Sequence, residues 1–217
     1  MDVAVVTPHY KEPQDWFQKC LDSVRDQTYP CTHIIVNDGA NRGPGNSESV
    51  QVLDLPVSHG DFGDAARTIG SVSAVVQGFD AIAWLDGDNW YAPEHVESLV
   101  SLHNQTGAAI VMSDRTLHHM DGSVLGPCPE SDGITFFDTS TYLVTRSAFR
   151  IIAEWFLMDP KYHPIGDRII LERIKELGMS HAGTGLKTLS YRTPYKCHYD
   201  YYGAVAPPGA KDSFCID

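Results

Sequence analysis

Residues 3–39 read VAVVTPHYKEPQDWFQKCLDSVRDQTYPCTHIIVNDG, and the fold is decided there. Val3-Ala4-Val5-Val6 is an unbroken apolar run, as a strand covered on both faces requires. Thr7-Pro8 ends it, and Pro13 stands where a helix can start. Phe17, Cys20, Leu21 and Val24 then recur at i, i+3, i+4 and i+7, which gives one buried helix face. A second apolar run, His33-Ile34-Ile35-Val36, ends in Asn37-Asp38-Gly39. Strand, helix and strand at this spacing form a βαβ unit, whose default is a parallel sheet with a right-handed crossover.

Working outward, residues 39–50 are loop by composition, and Gln51 to Val57 holds a short strand. The next helix is expected to bury Ala66, Ile69, Val72 or Ser73, and Val76. Ala81-Ile82-Ala83-Trp84-Leu85 is a third strong strand, running into Asp86-Gly87-Asp88-Asn89. Pro93 opens a helix with Val96, Leu99 and Val100 on its stripe. Beyond it the pattern predicts a strand at Ala108–Met112, a hairpin or loop over 115–135, and a strand at Tyr142–Thr145. Helices at Ser147–Phe156 and Asp167–Leu177 follow, then a strand and a tail. The chain reads as a single α/β domain over 1–217: a binding half to about 100, a less regular half to about 200, and a tail over 201–217.

Composition narrows the function classes. The 217 residues carry 16 basic and 28 acidic side chains, a formal charge of −12. Counterion release works against nucleic-acid binding for so acidic a chain, and an anionic membrane repels it. A nucleotide phosphate stays compatible if a divalent cation supplies positive charge. The first residues, MDVAVVTPHYKEP, lack the basic and apolar regions of a signal peptide, and no apolar run is long enough to span a bilayer. The cysteines, Cys20, Cys31, Cys128, Cys197 and Cys215, are scattered, odd in number and lack CxxC spacing, which argues against both a disulfide framework and a structural zinc site and points to a cytoplasmic setting.

Ligands of open α/β sheets collect at the carboxyl ends of the strands. Three such ends carry Thr7-Pro8-His9-Tyr10, Asn37-Asp38-Gly39 and Asp86-Gly87-Asp88-Asn89, and the topology brings them to one rim. Asp86 and Asp88 alternate along an extended segment, so both project to one side. Two carboxylates so close repel each other, and a hard divalent cation with diphosphate oxygens in its open positions relieves them. The alternative for such an Asp is a turn or helix cap.

Together, VVTPHYKEP, CLDSVRDQTYP, HIIVNDG, DFGDAARTIGSVSAV and AWLDGDNWYAPEHV resemble glycosyltransferase family 2 over about residues 2–100, and more loosely over 136–177. The resemblance implies a GT-A type single domain with a Rossmann-like, mostly parallel central sheet flanked by helices. It implies inverting transfer from a nucleotide-diphosphate sugar with Mn²⁺ or Mg²⁺. By position, Pro8 and Tyr10 match the loop that holds the nucleoside base, Asp38 the residue contacting uracil, and Arg67 the arginine facing the nucleotide. Asp86 matches the first carboxylate of the metal motif, near ribose and metal, and Asp88 the direct ligand. Gly166-Asp167-Arg168 matches the Glu-Asp pair that supplies the base, with Ile170 and Arg173 at the flanking positions. Asp167 is then the base, and Gly166 replaces the first acidic residue. His198 stands where some GT-A enzymes bring a C-terminal His onto the metal, and Lys196 in the same segment is placed to meet the diphosphate. Asp138-Thr139-Ser140 matches a segment lining the acceptor cleft.

The expected activity is transfer of a sugar, hexosyl or N-acetylhexosaminyl, from a UDP-sugar to a hydroxyl of a glycan, lipid-linked or protein acceptor. Trp84 and Trp155 read as core, Trp90 as a sugar-stacking or packing ring, and His118-His119 as a surface or acceptor-side loop. Two alternatives stand beside this reading. One is a nucleotide-sugar-binding protein without transfer. The other is a sugar nucleotidyltransferase, whose usual glycine-rich loop after the first strand is absent from Thr7-Pro8-His9-Tyr10-Lys11-Glu12.

Overall fold

The computed structural model describes residues 1–39, 43–131 and 135–212. Cys215 and parts of the 39–50 loop and the 115–135 hairpin lie outside the described residues. Strands β1 (Val3–His9), β2 (Cys31–Asp38), β3 (Val50–Leu55) and β4 (Ala81–Trp84) pair in parallel in the order β3-β2-β1-β4. This is the crossover that the first 39 residues predict. The sheet continues past β4 through β8 (Tyr142–Thr145), β6 (Ile110–His118), β9 (His181–Arg192) and the two-residue β5 (Trp90–Tyr91), with β7 (Val124–Pro127) hairpinned onto β6. β8 is antiparallel to both its neighbours, while β6 and β9 are parallel.

Alternate residues of the central strands feed two cores, as the period of 2 demands. Ala4, Val6, Ile34, Val36, Ile82 and Trp84 face one side, with α2 (Asp64–Gln77), α4 (Ile152–Leu157) and α5 (Gly166–Glu176). Val3, Val5, Ile35, Ala83 and Leu85 face the other, with α1 (Gln14–Arg25) and α3 (His95–Thr106). Pro8 stands beyond the last β1–β4 pair, Val6 with Trp84, so it breaks no ladder on that side. The elements thus leave the carboxyl ends of β1, β2 and β4 open along one rim.

Three expectations need correction. The buried face of α2 is Ala66, Gly70 and Ala74, whereas Ile69, Val72 and Val76 are exposed, Val76 by 81%. The cause is close approach to the sheet: a Cβ on Gly70 would lie 2.5 Å from Val6 Cγ1 and 2.8 Å from Val36 Cγ2. Small side chains on the helix, not the large ones, therefore take the inner face. The helix over Ser147–Phe156 starts as a 3-10 segment, Arg146–Ile151, before α4 begins. His198 lies in a short helix, α6 (Lys196–Tyr201), and not in a strand, because the chain turns after β9 at Thr193, whose hydroxyl accepts from Tyr195 N at 3.1 Å. Among the described residues no helix is long and apolar enough to cross a membrane.

Candidate active site

Two cavities open on the rim, and Asp86 lines both. The first, about 310 Å³, is lined by Pro8, Tyr10, Glu12, Asp38, Asp86 and Asp88 among others. The three predicted strand ends are therefore brought together. Tyr10 is 41% exposed at the mouth, with Lys11 Nζ 4.6 Å from its ring centre. Asp38 is buried at the end of β2 and accepts from Ser58 Oγ (3.1 Å) and His59 N (3.0 Å), and pairs with His59 Nδ1 (2.6 Å). Burial raises its pKa, but the His59 and Ser58 hydrogen bonds outweigh this and hold the carboxyl below its usual range.

The Asp86–Asn89 turn is held from several sides. Ser140 Oγ accepts from Asp86 N at 3.1 Å, Asn89 Oδ1 accepts from Arg192 N at 3.2 Å, and the Arg192 guanidinium donates to the Asp88 carbonyl. Tyr91 Oη donates to Trp84 O at 2.5 Å across the same turn. Among the described residues no ion pair is made by the Asp88 carboxylate, and the charge of Arg192, whose guanidinium is bound to the Asp88 carbonyl, acts on it. Burial, with the neighbouring charges of Asp86, Glu12 and Asp138, pushes its carboxyl up to about 7. The half-buried carboxylates of Asp86, Asp88 and Glu12 outnumber the guanidiniums of Arg67 and Arg192 beside them, and a hard dication relieves such an excess, so the residues present fit Mg²⁺ or Mn²⁺.

Arg67, expected to face the nucleotide, is held among side chains next to Asp86. It is 2% exposed and lines the second cavity, donating to Asp64 Oδ1 (2.6 Å) and Asp86 Oδ1 (2.7 Å) above the Trp155 ring. His163 Nδ1 lies 2.6 Å from the other Asp64 oxygen. A buried chain of four charged or titratable groups thus runs from the segment before α5 to the first carboxylate of the motif. Sequence reading missed Asp64 and His163, because neither lies at a strand end.

The second cavity, about 230 Å³, contains Asp86, Arg115, Glu130, Asp138, Asp167, Tyr191 and His198. Asp167 is the second residue of α5, with Arg168 N donating to its Oδ1 at 2.8 Å. Burial and the nearby Asp138 push its carboxyl up to about 7, against the opposing charge of Arg115. Arg115 donates to Asp138 Oδ2 at 2.6 Å, and Asp138 also caps the turn that carries Ser140. Gly166 has a packing reason: a Cβ there would lie 2.8 Å from the Trp155 ring. The indole fills the space beside α5 where another chain could carry a larger residue.

His198 also lines this second cavity, whereas Asp88 lines the first. Lys196 is paired with Asp200. Trp84 and Trp155 are buried, 5.5 Å apart and edge-on. The faces and edge of Trp90 are occupied by Lys19 (3.5 Å), Arg192 (4.5 Å) and His118 (4.5 Å), so it packs as part of the protein. His118 is buried at the end of β6 and so stands in a strand, not in the surface or acceptor-side loop expected for it.

A mostly parallel α/β sheet with acidic side chains gathered where its strands end is the arrangement expected of the GT-A class. The sequence model of Glycosyl transferase family 2 matches residues 4–151, and the chain belongs to that family. No curated protein matches the chain. Among solved structures it is similar to Staphylococcus aureus TarS 1–349 in complex with UDP. That likeness has 10% identity and a TM-score of 0.65, covering 93% of this chain and 63% of that one. It is also similar to TarS 1–349 in complex with UDP-GlcNAc, with 9% identity and a TM-score of 0.62 over 89% and 59% of the two chains. The longer TarS structure gives 11% identity and a TM-score of 0.65 over 92% and 38%. The chain therefore spans less than two thirds of each TarS chain. At such identities the likeness establishes the fold.

Proposed function

We propose that the chain is a metal-dependent inverting glycosyltransferase that moves a hexosyl or N-acetylhexosaminyl group from a UDP-sugar to an acceptor hydroxyl. The observation that carries this reading is the position of Asp86, shared by two cavities, one with Asp88 and Asp38 and the other with Asp167. A donor lying across Asp86 has its nucleoside on one side and its sugar beside the base on the other. Family membership and the UDP and UDP-GlcNAc bound by TarS support a donor of this type.

In this account residues 1–100 hold the donor and residues 101–200 the acceptor. Pro8 and Tyr10 form the wall against the base, and Asp38 accepts from it. Asp88 and Asp86 hold Mn²⁺ or Mg²⁺, which supplies Lewis-acid stabilisation of the diphosphate leaving group. Arg67 acts through Asp86, fixing its carboxylate against Asp64. The acceptor oxygen attacks the anomeric carbon and its proton passes to a carboxylate oxygen of Asp167. The bond to the diphosphate breaks in the same displacement, inverting the configuration. A carboxyl poised near 7 suits that proton transfer. The acceptor is a glycan, a lipid-linked sugar or a protein hydroxyl, reached in the cytoplasm.

The test is incubation of the chain with UDP-sugars, Mn²⁺ and a panel of acceptor alcohols, following UDP release and product anomer. Cation-dependent UDP release with inversion is expected. Pyrophosphate formation from a sugar phosphate and a nucleoside triphosphate would establish the nucleotidyltransferase instead. Cation-dependent donor binding with neither transfer nor hydrolysis would establish a binding protein.

A further inference from the structure

Glu130 and His198 line the second cavity, and with the buried Cys128 they form a group of donors that the transfer chemistry does not use. One ligand atom from each of Cys128, Glu130 and His198 lies within 4.8 Å of the other two. Cys128 and Glu130 come from the turn after β7, closed by Ser131 N donating to Cys128 O at 3.3 Å, and His198 from α6. His198 Nδ1 is 2.5 Å from Thr193 Oγ1, which fixes the ring and leaves Nε2 facing Glu130 Oε2 at 4.0 Å. Cys128 and His198 are buried, and Glu130 is the exposed member.

We propose that Cys128, Glu130 and His198 bind one thiophilic divalent ion of the Zn²⁺ class, with a fourth position open to the cavity. A thiolate, an imidazole and a carboxylate are the donor types zinc takes, and a histidine held through its other nitrogen is the usual support for such a ligand. Ligand atoms around tetrahedral zinc, at bond lengths of about 2.0–2.3 Å, stand about 3.3–3.8 Å apart. Closing from the present separations asks for a shift of about 1 Å, which Glu130, the exposed side chain, supplies most easily. Arg115 Nε donates to Cys128 Sγ at 3.2 Å, and Arg115 and Arg168 lie 3.8 and 3.7 Å from Glu130. Those guanidiniums offset the two anionic ligands before any ion binds, so the dication adds positive charge that Asp138 and Asp167, in the same cavity, partly offset. Sulfur and nitrogen ligands suit Mg²⁺ poorly, which separates this site from the all-oxygen pair Asp86 and Asp88. The ion ties the turn after β7 to α6 and so fixes the part of the cavity wall that Glu130 and His198 form beside Arg168. The inference stands independently of the proposed transfer reaction.

The test is titration of the chelator-treated full chain with Co²⁺ as a spectroscopic stand-in for Zn²⁺. One equivalent is expected to give thiolate-to-cobalt charge-transfer absorption with the strong visible bands of four-coordination, both displaced by Zn²⁺. Cys128→Ser should lose the charge-transfer band, and Glu130→Gln and His198→Gln should each weaken binding tenfold or more. Asp88→Asn should leave the spectrum unchanged. Glu130 is exposed, so its variant reports on the site even if Cys128→Ser fails to fold. Absence of the charge-transfer band in the wild type, its persistence in Cys128→Ser, or unchanged affinity in Glu130→Gln would overturn the proposal.

Discussion

The two cavities that meet at Asp86 are built by different means. The first is made by the ends of parallel strands: β1 delivers Pro8 and Tyr10, β2 delivers Asp38, and the turn after β4 delivers Asp86 and Asp88. Its residues lie where a βαβ crossover must put them, and its character is an excess of negative charge, with Asp38 held by His59 and Asp86 by Arg67 but no ion pair on Asp88 among the described residues. The second is made by a helix N-terminus, a 3-10 turn, a hairpin and the chain after β9. Its acids are matched by Arg67 and Arg115, each paired with carboxylates. The difference teaches that one side is left open for a cation to complete, while the other is already balanced around one carboxyl, Asp167.

Loss of that carboxyl is the largest effect expected on the second side. Asp167→Asn should lower transfer about 10²–10⁴-fold with donor affinity unchanged. The wild-type rate should rise with pH through about 7 and level off, because the working form is the deprotonated one. Stability should move the other way. Between the ordinary carboxylate range and about 7 the folded chain keeps a proton that the unfolded chain has lost. Stability therefore falls as pH rises through that window, and the Asn variant should lack this component. A pH-rate profile and thermal unfolding at several pH values check both signs.

Arg67 holds Asp86, the carboxylate common to both cavities, so its removal tests whether they are separable. Arg67→Met leaves Asp64 and Asp86 without their shared cation and should cost about 3 kcal/mol, at the low end for a buried pair because Asp86 is partly exposed. Denaturant unfolding measures it, and a loss of donor affinity should accompany it. Gly70→Ala should cost about 1–3 kcal/mol by overpacking against Val6 and Val36. Its kcat/KM should stay close to wild type, since α2 touches the sheet there away from both cavities. The smallest effect belongs to Val76→Ser, expected within about 0.5 kcal/mol because the side chain faces solvent. A loss of several kcal/mol at Val76 would restore the large-residue face as the buried one.

The same contrast governs what the amino-acid order reveals. Apolar runs such as Val3–Val6 and Ala81–Leu85 encode strands locally, and the acids that follow them inherit a position from the topology. Asp38, Asp86 and Asp88 were legible for that reason. Asp64 and His163 are 99 residues apart, and nothing local announces that they meet. The α2 face was misread because helix periodicity locates a stripe but does not say which stripe approaches the sheet; Gly70 decided that through distance. Trp155 explains Gly166, again by a contact between separate elements. His198 depended on a chain reversal at Thr193, which a run of aromatic residues conceals.

The most direct test of the account is calorimetric titration of UDP into the chain with and without Mn²⁺, repeated in Asp88→Asn. The account predicts that Mn²⁺ strengthens UDP binding in the wild type and that the Asn variant loses the gain while staying folded. The cation's advantage should also grow as pH rises through about 7, where Asp88 gives up its proton. UDP affinity indifferent to the cation, or a Mn²⁺ gain undiminished in Asp88→Asn, would contradict it.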